Sequence, residues 1–311
     1  MSDVSIGTTK QRMLELFSEL DEEELDSVER WIVSLAYRKD LENKKLFQQS
    51  EKTLTNIGTL IKDMVPFEAE MPSETIVPPT VGDQSDCNQL NTIHVDEFLY
   101  DELEVERMIK SGKLKKHYCV DCNSRNIKEL IYISHSMSKQ QLQYIFKVLL
   151  PSDLDEKQIL DIGSRLGAVL YGAYYFSNAG TIVGIEMNKE CCDVQERIIE
   201  QLYMDTSRIK VIHSDVMDRV DVIVNSDIII INVLDFFVDN EKHKEMWLFF
   251  KKHIKKGTYL VCNRSMSETL NSLDMFEELI NWLSICKCNH IENEIFFDME
   301  HCSELFLYTV N

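Results

Sequence analysis

The stretch QILDIGSRLG, residues 158–167, decides how the second half of the chain folds. It opens with the apolar, β-branched pattern of a buried strand and continues with glycines at positions 163 and 167, before a helical pattern. Glycine at position 163 allows a tight turn and lets a ligand approach the backbone. A helix that begins near Gly167 directs its free N–H groups at such a ligand. The stretch therefore predicts a strand, a glycine-containing loop and a helix around a binding site.

Short apolar strands alternate with helical segments after residue 157, which is typical of a parallel sheet with helices on both faces. The predicted parallel strands are 159–162, 181–186, 209–213, 227–232 and 258–262. The last two predicted strands are 291–297 and 304–310. Because the segment between them is too short for a helical crossover, we expect these two strands to pair antiparallel.

Polar residues follow the predicted strands at the edge where their carboxyl ends meet. Glu186 ends the second strand, where a carboxylate can accept both ribose hydroxyls of an adenosine. Asp215 and the backbone at Val216 follow the third strand and can read an adenine edge, and Asn232 follows the fourth. These residues predict an adenosine-containing cofactor. A nicotinamide-dependent dehydrogenase is disfavoured, because its fingerprint is Gly-x-Gly-x-x-Gly and this loop has Gly-x-x-x-Gly.

Residues 158–311 resemble a class I S-adenosylmethionine-dependent methyltransferase. The motifs that carry the resemblance are LDIGSRLG, GIEMN, HSDV, NVLDFF, the KKG turn and the terminal antiparallel pair. It implies an α/β fold: a seven-stranded Rossmann-like methyltransferase sheet, mostly parallel with an antiparallel last strand, here preceded by an N-terminal helical region. The spacing around DIGSRLG and IIIINVLDFF is similar to that of the non-SET histone-lysine methyltransferases.

The resemblance implies S-adenosylmethionine as the cofactor, with its methionine end near Asp161 and Gly163, its ribose on Glu186 and its adenine amino group on Asp215. The predicted cofactor-binding residues are Asp161, Gly163, Ser164, Arg165, Gly167, Glu186, Asp215, Val216 and Asn232. The loop of this family is commonly Gly-x-Gly-x-Gly, and Arg165 replaces the middle glycine. Its side chain would either cap the carboxylate of the cofactor or obstruct the pocket.

Methyl transfer from a sulfonium requires an aligned nucleophile and, for some nucleophiles, removal of a proton. The candidate catalytic residues are Asn232, whose amide can accept from a nucleophilic nitrogen, and Asp235 or His135 as proton acceptors. His135 lies in ISHSMS, after the strand-like LIYIS. The alternative for this cluster is a structural turn in which Ser134 and Ser136 cap the helix that follows.

Cysteine usage suggests one metal hypothesis and a compartment. Cys119 and Cys122 form a Cys-x-x-Cys pair that could belong to a zinc site, with ordinary thiols as the alternative. The nine cysteines are irregularly spaced and the N-terminus is not signal-like, so we expect reduced thiols in a cytoplasmic or nuclear protein. No apolar run approaches the ~18 residues that span a bilayer, so no membrane role is expected.

The net charge of −20, from 53 acidic and 33 basic residues, disfavours nucleic acid as a partner. Within the methyltransferase hypothesis we expect a protein acceptor with a basic segment, while a small-molecule acceptor stays open. The alternative is a non-catalytic methyltransferase fold that acts as an interaction platform.

The uneven distribution of proline divides the chain, because four of the five prolines fall between residues 66 and 79. We predict a helical N-terminal region over 1–65, a flexible linker over 66–92, an accessory segment with the Cys-x-x-Cys pair over 93–150, and the methyltransferase-like domain over 151–311.

Overall fold

The structure is a computed structural model that describes residues 5–76, 87–88, 90–121, 126–232, 234, 236–287 and 296–311. By their internal contacts the residues form two compact units, Met1–Gln49 and Ser50–Asn311. The four-segment division predicted from the sequence stays a prediction.

Three helices form the N-terminal helical region, as the sequence predicts. They are α1 (Ile6–Phe17), α2 (Glu22–Val33) and α3 (Ala36–Lys62). The Asp21 carboxylate accepts the N–H groups of Glu23 and Glu24 and so caps α2, with Glu24 completing a capping box. Neither α1 nor α2 contains a buried residue, and the buried residues of α3 all lie beyond Gln49.

Four short strands and two helices precede the large sheet. Their bounds are β1 (Thr92–His94), α4 (Glu102–Lys110), β2 (His117–Cys119), β3 (Ile127–Glu129), β4 (Ile131–Ile133) and α5 (Lys139–Tyr144), which continues as a π-helical turn (Ile145–Leu149). Strand β1 pairs parallel with β4, and β2 pairs antiparallel with β3. The β1–β4 pair sets His94 opposite Ile133 and brings the segments that follow both strands together.

The large sheet has seven strands within the described residues. Its strands are β5 (Gln158–Ile162), β6 (Thr181–Glu186), β7 (Ile209–His213), β8 (Ile228–Ile231), β9 (Tyr259–Cys262), β10 (Leu283–Ile285) and β11 (Phe306–Val310). Their order across the sheet is β10-β11-β9-β8-β5-β6-β7, and β11 runs antiparallel to both of its neighbours. The predicted mostly parallel, seven-stranded sheet with an antiparallel last strand is therefore confirmed.

Helices cover both faces of this sheet, which explains its continuous apolar strands. They are α6 (Ala168–Phe176), α7 (Lys189–Gln201), α8 (Val220–Asn225), α9 (Asn240–His253), α10 (Met266–Ser272), α11 (Phe276–Leu279) and α12 (Met299–Cys302). All four isoleucines of β8 are buried because the strand lies in the middle of the sheet.

The partner of the last strand differs from the sequence prediction. Strand β11 pairs with β10, from Leu283↔Val310 to Ile285↔Tyr308, and the sequence analysis assigned no strand at 283–285. Of the predicted partner 291–297, residues 291–295 lie outside the described part of the chain, and Phe296 and Phe297 lie in a turn and a bend. The local apolar pattern does not distinguish the two segments, so packing on β11 selects the strand. Along the described part of the chain, no helix is both long and apolar enough to cross a lipid bilayer.

Candidate cofactor-binding site

A cavity of about 560 Å³ lies at the carboxyl ends of β5, β6, β7 and β8. In the sheet, β5 lies between β6 and β8, so the cavity sits where the strand order reverses, the usual ligand position in open α/β sheets. Its size is within the range of small-molecule sites. Seven of the predicted site residues line it: His135, Gly163, Arg165, Glu186, Asp215, Val216 and Asn232.

Gly163 turns the chain from β5 towards α6 with φ = 72°, a conformation that favours glycine. The N–H groups of Gly163 and Ser164 donate to the carbonyl oxygen of Ile185, at 2.9 and 3.2 Å, which ties the loop to β6. A Cβ atom at Gly163 would meet no atom within 4 Å. The backbone therefore borders open space at the position where the sequence predicts close approach by a ligand.

Three predicted binding residues do not line the cavity. The Ser164 hydroxyl donates to Oε1 of Gln195 at 3.0 Å, on the inner side of the loop. Gly167, at φ = 85°, is the N-cap of α6, and a Cβ there would lie 2.7 Å from the Tyr171 hydroxyl. Asp161 is buried in β5, and burial raises its pKa well above the usual range, with Glu186 adding to the effect.

Glu186 ends β6 as a positioned acceptor. Its Oε2 accepts the N–H of Arg165 at 2.8 Å, and its Oε1 accepts the N–H of Asn188 at 2.7 Å. A carboxylate has about four acceptor sites, so two backbone bonds leave capacity for hydroxyl donors. Burial raises the pKa of Glu186, while the two backbone hydrogen bonds act in the opposite direction.

Asp215 and Val216 follow β7 and complete the neighbouring wall. The Asp215 carboxylate accepts the N–H of Met217 at 2.8 Å and thereby caps the 3₁₀ turn Val216–Asp218. This bond holds the acidic group beside the strand end, and Val216 is buried next to it. The arrangement offers a carboxylate and an apolar surface to a flat ring.

Arg165 lines the cavity, and its guanidinium is bonded to other groups of the chain. Nε donates to Glu74 at 3.0 Å, Nη1 donates to Asp96 at 3.1 Å, and Nη2 donates to the Ala69 carbonyl. The Arg165 side chain is 7% exposed, and those of Glu74 and Asp96 are 6% and 1% exposed. The residue therefore attaches segment 69–74, which falls in the predicted linker, to the wall of the cavity.

Asn232 and His135 also line the cavity and contact each other. The Asn232 Nδ2 donates to the carbonyl oxygen of His135 at 3.0 Å. This bond fixes which end of the amide is the nitrogen, and the amide oxygen is the acceptor that Asn232 can offer to a ligand. The His135 ring contacts Phe236 and Phe237 edge-on, at centroid distances of 5.1 Å each. Burial, followed by the charge of Arg165, lowers the pKa of His135 to about 2.

His135 also pairs with a second histidine that the sequence analysis did not select for the catalytic site. His135 Nε2 lies 2.8 Å from His94 Nδ1, and the two rings are stacked with centroids 4.9 Å apart. His94 Nε2 lies 3.5 Å from Oε1 of Glu70. The three side chains form a continuous series from the cavity to the surface.

The structural alternative for the serines beside His135 is wrong in its details. Ser138, and not Ser134 or Ser136, caps α5, with Gln141 completing a capping box. Ser136 Oγ instead donates to Asp96 at 2.5 Å, and Ser134 Oγ donates to the carbonyl of Ser136. Their partners lie in the turn itself and in the segment after β1, because the β1–β4 pair brings these segments together.

The remaining candidates are less well defined. Asp235 and Cys122 lie outside the described residues. Cys119 is exposed in β2, and no three His, Cys, Asp or Glu side chains among the described residues are grouped to hold a metal ion. Zinc therefore gains no support from the described part of the chain.

Four residues that organise the site, His94, Glu74, Asp96 and Gln195, were missed as site residues from the sequence. Each acts through a partner far away in the chain, such as Glu74 with Arg165 at a separation of 91 residues. No motif surrounds them. A buried arginine implies nearby carboxylates, and this was the one available signal.

No protein-family model matches the chain, and a search of the curated proteins found no match. One solved structure that is similar to this chain is an O-methyltransferase from Bacillus cereus in complex with SAH. The two sequences are 19% identical, the match covers 58% of this chain and 84% of that chain, and the TM-score is 0.39. Another is an RNA methyltransferase from Salinibacter ruber in complex with S-adenosyl-L-homocysteine, with 17% identity, 36% and 67% covered, and a TM-score of 0.30. A third is PKMT2 from Rickettsia typhi in complex with AdoHcy, with 15% identity, 40% and 23% covered, and a TM-score of 0.32.

These likenesses are remote, and the strand order is the firmer guide to the fold. The first five strands of the large sheet follow the doubly wound order 3-2-1-4-5. The antiparallel last strand lies between the fifth and sixth. Residues 158–311 therefore have the seven-stranded Rossmann-like sheet, mostly parallel with an antiparallel last strand, that the resemblance to class I methyltransferases implies.

Proposed function

We propose that the chain is an S-adenosylmethionine-dependent methyltransferase that holds its cofactor in the cavity at the carboxyl ends of β5 to β8. The observation that carries the proposal is the convergence of Gly163, Glu186, Asp215 and Asn232 on this one cavity from four adjacent strands. When bound there, the cofactor supplies a methyl group on an activated sulfonium.

The cofactor would lie along the strand ends. Glu186, held by two backbone N–H groups, is suited to accept the two ribose hydroxyls. Asp215 and Val216 would receive the adenine, whose amino group needs an acceptor and whose ring needs an apolar wall. The backbone at Gly163 would border the methionine end, where a side chain would occupy space that the glycine leaves open.

Asn232 and His135 would lie where the acceptor enters. Leu234, Phe237 and Val238 also line the cavity and would exclude water from the nucleophile. The amide oxygen of Asn232 would orient an N–H or O–H group, because the amide nitrogen is bonded to the His135 carbonyl. His135 would accept a proton from that group.

We propose a protein acceptor with a basic segment in preference to a small molecule. The net charge of −20 attracts positively charged chains over long distances and speeds their association. Similarity to non-SET histone-lysine methyltransferases in the loop spacing agrees with such an acceptor and stays a prediction.

Calorimetric titration with S-adenosylmethionine and S-adenosylhomocysteine tests the cofactor, with NAD as the negative control. We expect micromolar binding of both and none of NAD. Glu186→Ala should weaken binding at least about tenfold, because hydrogen bonds to a charged group contribute about 1.5–3 kcal/mol. Glu196→Ala, on the exposed face of α7, is the matched control and should bind like the wild type.

The same titration separates the two functions that the sequence left open. Binding of S-adenosylmethionine that depends on Glu186 supports an enzyme and justifies a search for acceptors with labelled methyl donor. If a folded wild-type protein binds neither compound, the interaction-platform alternative is favoured instead. Thermal melting of every variant shows whether lost binding reflects lost folding.

A further inference from the structure

One side of the cavity is formed by residues 73–75, which precede β1 and belong to no strand of the large sheet. A turn fixes their conformation. The N–H of Glu74 donates to the carbonyl oxygen of Met71 at 2.9 Å, and the N–H of Met71 donates to Oε2 of Glu74 at 2.6 Å. Pro72 occupies the second position of this turn, where its fixed φ is favourable. Residues 71–74 therefore hold their shape through their own hydrogen bonds.

Two neighbouring residues of this segment bind the two residues that hold Glu186. Ser73 Oγ accepts from Asn188 Nδ2 at 2.8 Å, and Glu74 Oε1 accepts from Arg165 Nε at 3.0 Å. Asn188 and Arg165 are the residues whose backbone N–H groups donate to the Glu186 carboxylate. Residues 73 and 74 therefore lie beside the carboxylate that would accept the ribose hydroxyls.

The segment continues from there towards β8. Thr75 lines the cavity, and Ile76 packs against the apolar cluster that contains Ile133 and Phe236. Phe236 follows β8, Asn188 follows β6, and β5 lies between these two strands in the sheet. Residues 73–76 therefore run from the β6 side of the cavity to its β8 side.

We propose that residues 73–76 are a strap that crosses the bound S-adenosylmethionine at its adenosine half and retains it in the cavity. This inference rests on the proposed methyltransferase function. Thr75 is the residue that would contact the cofactor, and Ser73, Arg165 and Ile76 are positioning residues that hold the strap. A volume of about 560 Å³ remains beside the strap, which is enough for a small molecule, so the strap encloses a ligand and does not take its place.

The attachments of the strap differ in exposure. The side chains of Arg165 and Glu74 are 7% and 6% exposed, so separating them would leave buried charges without a partner. Ser73 is exposed, and its Oγ and N–H donate to Oε2 of the partly exposed Glu190 at 2.5 and 3.2 Å. Water can replace these bonds at a small cost in free energy. The Ser73 end is therefore the one that opens for cofactor exchange.

A chase experiment on the full chain measures retention, with labelled S-adenosylmethionine bound first and then displaced by excess unlabelled S-adenosylhomocysteine. Ser73→Ala removes both hydrogen bonds of the hydroxyl and should raise the dissociation rate at least about fivefold. Ile76→Ala loosens the β8 end and should act in the same direction. Association should not become slower in either variant, because a strap hinders entry as well as exit. A general structural defect would instead slow association and lower the melting temperature.

Ser207→Ala is the matched control for Ser73→Ala. Ser207 is exposed and its Oγ donates to the Asp205 carboxylate at 2.6 Å, but it does not line the cavity. This variant should release the cofactor at the wild-type rate. Equal dissociation rates in Ser73→Ala, Ile76→Ala and the wild type would overturn the strap, and Glu186-dependent binding would leave the proposed function intact.

Amide hydrogen exchange of the cofactor-free chain, followed by NMR, tests the strap without any ligand. The N–H groups of Ser73 and Glu74 should exchange more slowly than in an unstructured chain. Glu190→Ala should remove the protection at Ser73 and keep it at Glu74, whose N–H donates to Met71. Full-speed exchange at both positions in the wild type would overturn the strap. Absence of cofactor binding in a folded wild type would instead contradict the proposed function, and the exchange result would still show whether the segment is held.

Discussion

The partners of the Arg165 guanidinium give this side chain a structural role that its position in the loop sequence did not indicate. The sequence offered two roles, a cap for the cofactor or an obstruction, and both assumed that the side chain enters the pocket. The guanidinium instead joins Glu74, Asp96 and the Ala69 carbonyl. A buried ion pair costs desolvation, so its removal from one side only leaves buried carboxylates without a partner.

Arg165→Met should therefore lower the free energy of unfolding by about 3–5 kcal/mol. Arg165→Lys should lie between this variant and the wild type, because an ammonium cannot reproduce the planar array of donors. Urea unfolding measures both, with Arg197→Met on the exposed face of α7 as the control. A loss below about 1 kcal/mol in Arg165→Met would contradict a structural role for this pair.

Asp161 makes stability depend on pH. Its pKa in the folded chain is raised by burial and then by Glu186, so the folded state binds the proton more tightly than the unfolded state. The resulting stabilisation is complete below the ordinary aspartate pKa of about 4 and is lost as pH rises towards the folded pKa. Between pH 5 and 8, the free energy of unfolding of Asp161→Asn should therefore fall by about 1 kcal/mol less than that of the wild type. The exposed Asp63→Asn should leave that fall unchanged, and an equal slope in Asp161→Asn and wild type would argue against this origin.

Helix α7 supports the loop after β5 from behind. Its Gln195 is fully buried, accepts from the Ser164 hydroxyl at 3.0 Å and donates to the Arg165 carbonyl at 2.7 Å. The loop also donates the N–H of Arg165 to Glu186. The helix and two strands therefore hold the turn together, and Gly163 alone does not.

Gln195→Leu keeps the size of the side chain but removes both hydrogen bonds. We expect a loss of about 2 kcal/mol in unfolding free energy, because a buried hydroxyl and a carbonyl lose their partner. Cofactor affinity should fall as the loop loosens. Gln201→Leu, at the exposed end of the same helix, should change neither quantity. Wild-type stability in Gln195→Leu would show that the loop does not depend on α7.

At the scale of the whole molecule, the buried residues among those that the structure describes are concentrated in the second unit. Helices α1 and α2 bury no residue, and α3 buries residues only from Leu54 onward. We expect a chain of residues 50–311 to unfold in urea with a midpoint and slope close to those of the corresponding transition of the full chain. Its affinity for S-adenosylmethionine should also be unchanged within about twofold. A collapse of either quantity would show that the first 49 residues complete the fold or the site.

The sequence alone was sufficient for the sheet from β5 to β9 and for the residues at its strand ends. Continuous apolar runs identify buried parallel strands, and the carboxyl ends of parallel strands must meet at one edge. Gly163, Glu186, Asp215 and Asn232 could therefore be assigned to one site before any distance was known.

Only the tertiary structure revealed the partners of Arg165, the pairing of His94 with His135 and the strand that joins β11. Arg165 and Asp96 are 69 residues apart, and the two histidines are 41 apart. Such contacts depend on how the β1–β4 pair and segment 69–74 pack beside the large sheet. Their local sequence has neither a helical nor a strand period that specifies this packing, because periodicity reports which face is buried and not what covers it.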